Sequence, residues 1–291
     1  MALLFNSWFP DGGTPKDFTR LDCNDVGYTP VNDATLAIPE VAARLAPRVI
    51  NGEIAYRFTK FFGDPGISAG PKVQLAPAFT TVNRDPITNW AGASASRRWY
   101  RFKFMLPEDH VFLEWANPPG SQRQVVFQVH DTLDTTPADF DTGPSLWLRT
   151  MEDKTLWFEV TSCSATQTTS NNFTIRQLAQ VRARPGVPVE IVLFVKWAYD
   201  NTGAMTIWQD RRKIWDETGI ANCKNDDPAR GGAGNFAIIT NYCKDEPIDR
   251  TVYHYGLQIG DESYANYNAF ATACGAGLEL ERSVASGVSL G

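Results

Sequence analysis

The chain has 291 residues, 43% hydrophobic and 12% aromatic, with a net charge of −6. This composition excludes a disordered chain, and the acidic balance argues against a general nucleic-acid binder, which carries a basic footprint. A local basic cleft for an acidic polymer stays open, and nine Trp with 17 Phe suffice for a large core.

Residues 1–34 are rich in Asp, Gly and Pro and read as an irregular N-terminal arm. The opening MALLFNSWFPDGG has no basic segment and no long apolar run. No secretory signal is therefore expected, and the product is expected to be made in the cytoplasm. Residues 39–46 (PEVAARLA) predict a short helix with Pro39 in its first turn. Beyond it, period-two alternation punctuated by Gly, Pro, Asn and Asp predicts strands. They fall at 55–62, 98–106, 124–130, 145–150, 155–161, 189–198, 204–210, 213–218, 236–242 and 252–260. Residues 174–183 (TIRQLAQVRA) predict a second short helix, and residues 265–291, rich in Ala, Gly and Ser, read as a C-terminal extension. Ten strands without βαβ alternation predict an all-β protein: a sandwich, jelly roll or barrel. No apolar run approaches a membrane span. The five cysteines are scattered, odd in number and form no C-x-x-C, so reduced or buried thiols are expected rather than a disulfide framework.

Two strands carry chemistry on one face. In VVFQVHD (125–131), Gln128 and His130 are two residues apart and share a side, with Phe127 and Val129 on the other. In the hairpin SLWLRT-MEDK-TLWFEV, Leu146 and Leu148 share a face with Leu156, Phe158 and Val160. The opposite face then presents Trp147, Arg149, Trp157 and Glu159. An amide, an imidazole, an Arg and flat rings make a face suited to sugars. Weaker signals are the loop with Asp131, Asp134, Asp139 and Asp141, able to offer oxygen ligands to Ca²⁺ but without EF-hand spacing. The runs Arg97–Arg98 with Arg101 and Lys103, and Arg211–Arg212–Lys213, could face a polyanion or end as solvated strand termini. The terminal GVSLG matches G-x-S-x-G but lacks a following helix.

The order of four stretches resembles the heparin lyase I and glucuronan lyase group of polysaccharide lyases. These are AYRFTKFFGDPG (55–66), RRWYRFKFMLPED (97–109), VVFQVHD (125–131), and TIWQDRRKIWDETG (206–219) followed by FAIITNY and TVYHYGLQIGDES (251–263). The resemblance implies a concanavalin-like β-jelly-roll of two antiparallel sheets with few short helices, spanning 35–264 between the two end segments. It implies β-elimination on an acidic, uronate-containing polysaccharide, with His130 as base, Gln128 holding carboxylate or hydroxyl, and Tyr242 as acid or base. Lys72, Trp147, Arg149 and Trp157 would bind substrate. No cofactor is implied; Ca²⁺ at the Asp-rich loop is the one candidate metal. The chain departs from the group at Lys72-Val73-Gln74, where Arg-x-Glu is usual, and at Ile238, where Lys is usual. A glycan-directed fold without a secretion signal suits a bacteriophage virion protein, whose terminal arms would dock on other virion proteins or a second copy. The alternative is a non-catalytic glycan-binding or decoration protein of the same fold.

Overall fold

The computed structural model describes residues 3–23, 27–64, 72–77, 97–112, 124–131, 144–151, 155–162, 173–224, 235–243 and 248–280. Within them the strands, in chain order, are β1 (Phe5–Trp8), β2 (Arg20–Cys23), β3 (Gly27–Pro30), β4 (Leu45–Ile50), β5 (Glu53–Lys60), β6 (Lys72–Ala76), β7 (Arg97–Met105) and β8 (Gln124–Asp131). They continue as β9 (Leu146–Thr150), β10 (Leu156–Ser162), β11 (Thr174–Val181), β12 (Val189–Lys196), β13 (Gly203–Gln209), β14 (Arg212–Ile220), β15 (Asn235–Cys243) and β16 (Arg250–Gly260). Three short α-helices join them: α1 (Asp33–Leu36), α2 (Pro39–Arg44) and α3 (Tyr267–Ala273).

The strands form two antiparallel sheets. Sheet A runs β14-β13-β12-β7-β16-β5-β4, with β1 also paired to β16; sheet B runs β11-β10-β9-β8-β15-β6-β2-β3. Period-two alternation turns one face of each sheet inward, and those faces merge into a single core. Phe102 of sheet A and Phe127 of sheet B stack face to face across it, their centroids 4.0 Å apart. All ten strands expected from the sequence are present, and the fold is the expected two-sheet all-β sandwich.

Hairpin turns set several registers. β4 and β5 are joined by Asn51 and Gly52, both at positive φ (51° and 82°), the Asn-Gly signature of a type I′ hairpin. β13 and β14 are joined by Asp210 and Arg211, at φ 48° and 69°. α2 begins with Pro39 in its first turn and stops at Arg44, where the chain enters β4 instead of continuing to residue 46.

The expected helix at 174–183 is instead a strand, β11. Its apolar residues Leu178 and Val181 are three apart, which mimics helical spacing. The cause is a register shift: Trp157 pairs with Gln180 but Glu159 with Gln177, so Phe158 faces two residues of β11. The extra residue is a β-bulge, and it breaks the period-two pattern. The segment 1–34, expected to be irregular, contains β1, β2 and β3. Each is four residues long, too short for alternation to stand out; β1 pairs with the longer strand β16, β2 with β6, and β3 with β2. In the C-terminal segment, α3 packs Tyr267, Phe270 and Ala271 against Trp99, Val192 and Trp208 of sheet A. The basic alternation of β7 is absorbed here too. Arg101 is buried, its guanidinium held by Glu190, Gln258 and the Cys274 carbonyl and stacked 3.8 Å over Trp8. Lys103 pairs with Glu53. Cys23, Cys223, Cys243 and Cys274 are buried and outside disulfides; Cys163 lies outside the described residues.

Candidate active site

The inner residues of sheet B belong to the core: Phe127 and Val129 of β8, Leu146 and Leu148 of β9, Leu156 and Phe158 of β10, Ala237 and Ile239 of β15, Val73 and Leu75 of β6. Alternation therefore sends Gln128 and His130, Trp147 and Arg149, Trp157 and Glu159, and Lys72 and Gln74 to the outer face. Cross-strand pairing then brings them into rows. Gln128 lies opposite Trp147 on one side and Ile238 on the other. Trp157 lies opposite Arg149, and Glu159 opposite Trp147. Tyr242 lies opposite Lys72 and Val125.

A bulge interrupts β15 here. Between Ile239 and Tyr242 it carries one more residue than β8. Asn241 turns inward and donates to the carbonyls of Phe58 (2.9 Å) and Arg250 (2.8 Å), tying sheet B to sheet A. This leaves Tyr242 beside Lys72 on the outer face.

A chain of buried polar side chains runs across this face. The Lys72 Nζ meets Asp22 Oδ2 at 3.0 Å, and Gln74 Nε2 donates to the same oxygen at 3.1 Å. Gln128 Nε2 in turn approaches Gln74 Oε1 at 3.4 Å, a long contact that holds the amide weakly. Asp22 is fully buried, and its Oδ1 has no hydrogen-bond partner among the described residues. Beyond Gln128, Arg149 makes a close ion pair with Glu159, both buried, and its guanidinium stacks 4.4 Å from the Trp147 ring centroid. Lys72 and Arg149 are thus each compensated by a carboxylate, while the position opposite Gln128 is filled by buried Ile238.

The expected site residues divide into groups. Gln128 and His130 are neighbours on β8, with Trp147 across from the amide. Arg149 and Trp157 form a second cluster, and Lys72 with Tyr242 a third. His130 pairs with Phe236 and Val125 with Tyr242. His130 and Tyr242 are therefore five residues apart along β8, roughly 16 Å of strand. Asp22 carries no motif in the sequence, and Gln74 marks only a departure from the related lyases. The signal for both is the alternation in RLDC and KVQLA, where a polar residue sits between two core residues. Of the Asp-rich loop, Asp134, Asp139 and Asp141 lie outside the described residues, as does the side chain of Asp131. Among the described residues no three His, Cys, Asp or Glu side chains cluster for a metal, and no helix is long and apolar enough to cross a membrane.

The family model described as polysaccharide lyase matches residues 25–254. The chain belongs to the polysaccharide lyase family. Its fold is similar to that of an endo-β-1,4-glucuronan lyase from the fungus Trichoderma reesei, at 19% identity and a TM-score of 0.56 over 76% of this chain and 87% of that one. It is also similar to an alginate lyase of polysaccharide lyase family 7, at 12% identity and a TM-score of 0.51 over 84% of this chain and 95% of that one. No curated protein matches the chain. The two-sheet β-jelly-roll described above is the architecture these lyases share.

Proposed function

We propose that the chain binds an acidic, uronate-containing polysaccharide across the outer face of sheet B and cuts it by β-elimination. The observation that carries this reading is the pair Gln128 and His130, side by side on that face with Trp147 opposite the amide, in a member of the polysaccharide lyase family. In the reaction a base removes the C5 proton of the uronate. The electron pair left behind forms the C4–C5 double bond, and the C4–O bond breaks. The departing glycosidic oxygen takes a proton from an acid. His130 is the base in this reading. Gln128 turns its weakly held amide from Gln74 to the substrate carboxylate, and so stabilises the charge that develops as C5 loses its proton. Tyr242, across the face beside Lys72, is the acid. Its side chain and that of His130 must lean toward one another to reach the same linkage. The tryptophan rings supply flat surfaces for sugar C–H faces.

Ultraviolet absorbance of the unsaturated product, followed on glucuronan and alginate, tests the reading. His130→Ala is expected to lower kcat by at least 100-fold, the usual range for loss of a general base. Tyr242→Phe removes only the hydroxyl, and an equal loss is expected if it is the acid. A Tyr242→Phe enzyme with wild-type kcat would remove that residue from the mechanism while leaving His130 in place.

A second reading has its own observation. Two cations on the face, Lys72 and Arg149, are matched by buried carboxylates, and Ile238 stands where a cation is usual in the related lyases. A face balanced in this way suits holding a glycan without cutting it. Polymer binding with no product absorbance in the wild-type protein would select this reading.

A further inference from the structure

The run Arg211–Arg212–Lys213 has no part in the face described above. It lies at the open edge of the sandwich, where the edge strands β11 of sheet B and β14 of sheet A face each other. Between them is a groove of about 770 Å³, with Leu178 and Gln180 on one wall and Ile214 and Trp215 on the other. Cross-sheet bonds hold the walls at both ends. Gln209 donates to the Arg182 carbonyl at 2.7 Å and accepts from the Arg182 N–H at 3.0 Å. Six residues along β11, Arg176 donates twice to the Glu217 carboxylate, both at 2.8 Å.

The groove is cationic although the chain as a whole is acidic. Among the described residues, Arg182, Arg212 and Lys213 line it, against Asp210 as the one acidic lining residue. Lys213 is paired with Asp216. Arg182 and Arg212 are exposed, and neither side chain makes an ion pair among the described residues. On the outer face of sheet B the situation is the reverse for Lys72 and Arg149, each already compensated by a carboxylate. The two regions are continuous: Trp157 lies opposite Arg149 on the face and also lines the groove. A long polyanion on the face that runs past Trp157 therefore meets guanidinium groups that carry no ion pair among the described residues, and the Trp215 ring. Guanidinium forks match carboxylates, and indole rings give sugars a flat apolar surface.

We propose that this groove is a second binding site, which takes the part of an acidic polysaccharide that extends beyond the outer face of sheet B. The proposal rests on the reading of that face as an acidic-glycan site. It makes the protein sensitive to polymer length, with long chains held at two places and short ones at one.

The test measures binding of fluorescently labelled glucuronan and alginate by anisotropy, in the His130→Ala background so that the polymer stays intact. Arg182→Glu/Arg212→Glu is expected to weaken long-polymer binding about tenfold at low salt, with the difference shrinking as salt rises. Binding of a tetrasaccharide should change less than twofold. Arg182→Gln/Arg212→Gln, which removes charge without reversing it, should give an intermediate loss and guards against a folding defect in the first variant. Long-polymer binding within twofold of the parent in both variants overturns the groove while leaving the face intact. Equal losses for polymer and tetrasaccharide overturn it too. If the parent binds neither polymer at any length, the reading of the face fails and the groove with it. Double-stranded DNA held as tightly as the glycans, and lost in the same variants, would overturn the assignment to a polysaccharide.

Discussion

Asp22 shows how much one side chain sets on this face. It is fully buried, takes the Lys72 ammonium and the Gln74 amide on a single oxygen, and through Gln74 connects to Gln128. Removing one partner of a buried ion pair leaves the other charge uncompensated, at a cost of roughly 3–5 kcal/mol. Asp22→Ala is therefore expected to lower unfolding stability by about that amount in urea titration. Asp22→Asn, which keeps an acceptor for the Gln74 amide, should lose less. A loss under 1 kcal/mol for Asp22→Ala would mean that Lys72 does not depend on this carboxylate. The sequence made Gln128 and His130 legible because two residues on one strand obey alternation wherever the strand goes. The meeting of Asp22 with Gln74 is not legible, because it depends on β2 lying against β6, a contact across 52 positions of chain.

At the scale of elements, glycines at positive φ fix two junctions in different ways. Gly52 sits in the β4–β5 turn at φ 82°, and a Cβ there would meet nothing within 4 Å. Gly52→Ala is expected to cost only the backbone term, about 1 kcal/mol. Gly256, at φ 129°, lies in the bulge of β16 where β1 crosses, and a Cβ there would stand 2.2 Å from the Ser7 carbonyl oxygen. Gly256→Ala must displace β1 as well as strain the backbone, so a loss of roughly 3 kcal/mol is expected. Equal thermal shifts for the two variants would refute this account. The Asn-Gly turn was a readable hairpin signal and would have revealed β4. The bulges in β11 and β15 were not readable, since an extra residue is defined only by the partner strand it faces. That is why the apolar spacing of β11 reads as a helix, and why only the register sets the place of Tyr242 relative to His130.

The whole molecule is held together between its sheets by buried polar contacts as well as by aromatic packing. His254 of β16 is fully buried, and its Nε2 contacts the Thr240 carbonyl of β15 at 2.9 Å. Burial lowers its pKa to about 4, and His110 is lowered to about 4 by burial and then by the nearby Arg250 charge. In the unfolded chain a histidine titrates near 6.5. Between these values the unfolded state binds more protons, so stability is full above pH 6.5 and is lost as pH falls toward 4. For His254 the loss amounts to about 3 kcal/mol. The lowered carboxyl groups of Asp200, Asp216 and Asp261 release their contribution only at lower pH, from their ordinary value downward. A fall in melting temperature between pH 6.5 and 4 that is blunted in His254→Gln is the expected outcome. An unchanged pH profile in that variant would assign the acid sensitivity elsewhere.

By itself the sequence determined the class of fold, the ten long strands, the inner and outer sides of β8, β9 and β10, and the likeness to polysaccharide lyases. All of these follow from local alternation and short motifs, which do not depend on distant partners. The tertiary structure decided which cations on the face are compensated, how far His130 stands from Tyr242, and that two basic edges of separate sheets line one groove. Those facts depend on register, bulges and the order of strands in each sheet. They are set by hydrogen-bond partners far away in the chain, which no local pattern encodes.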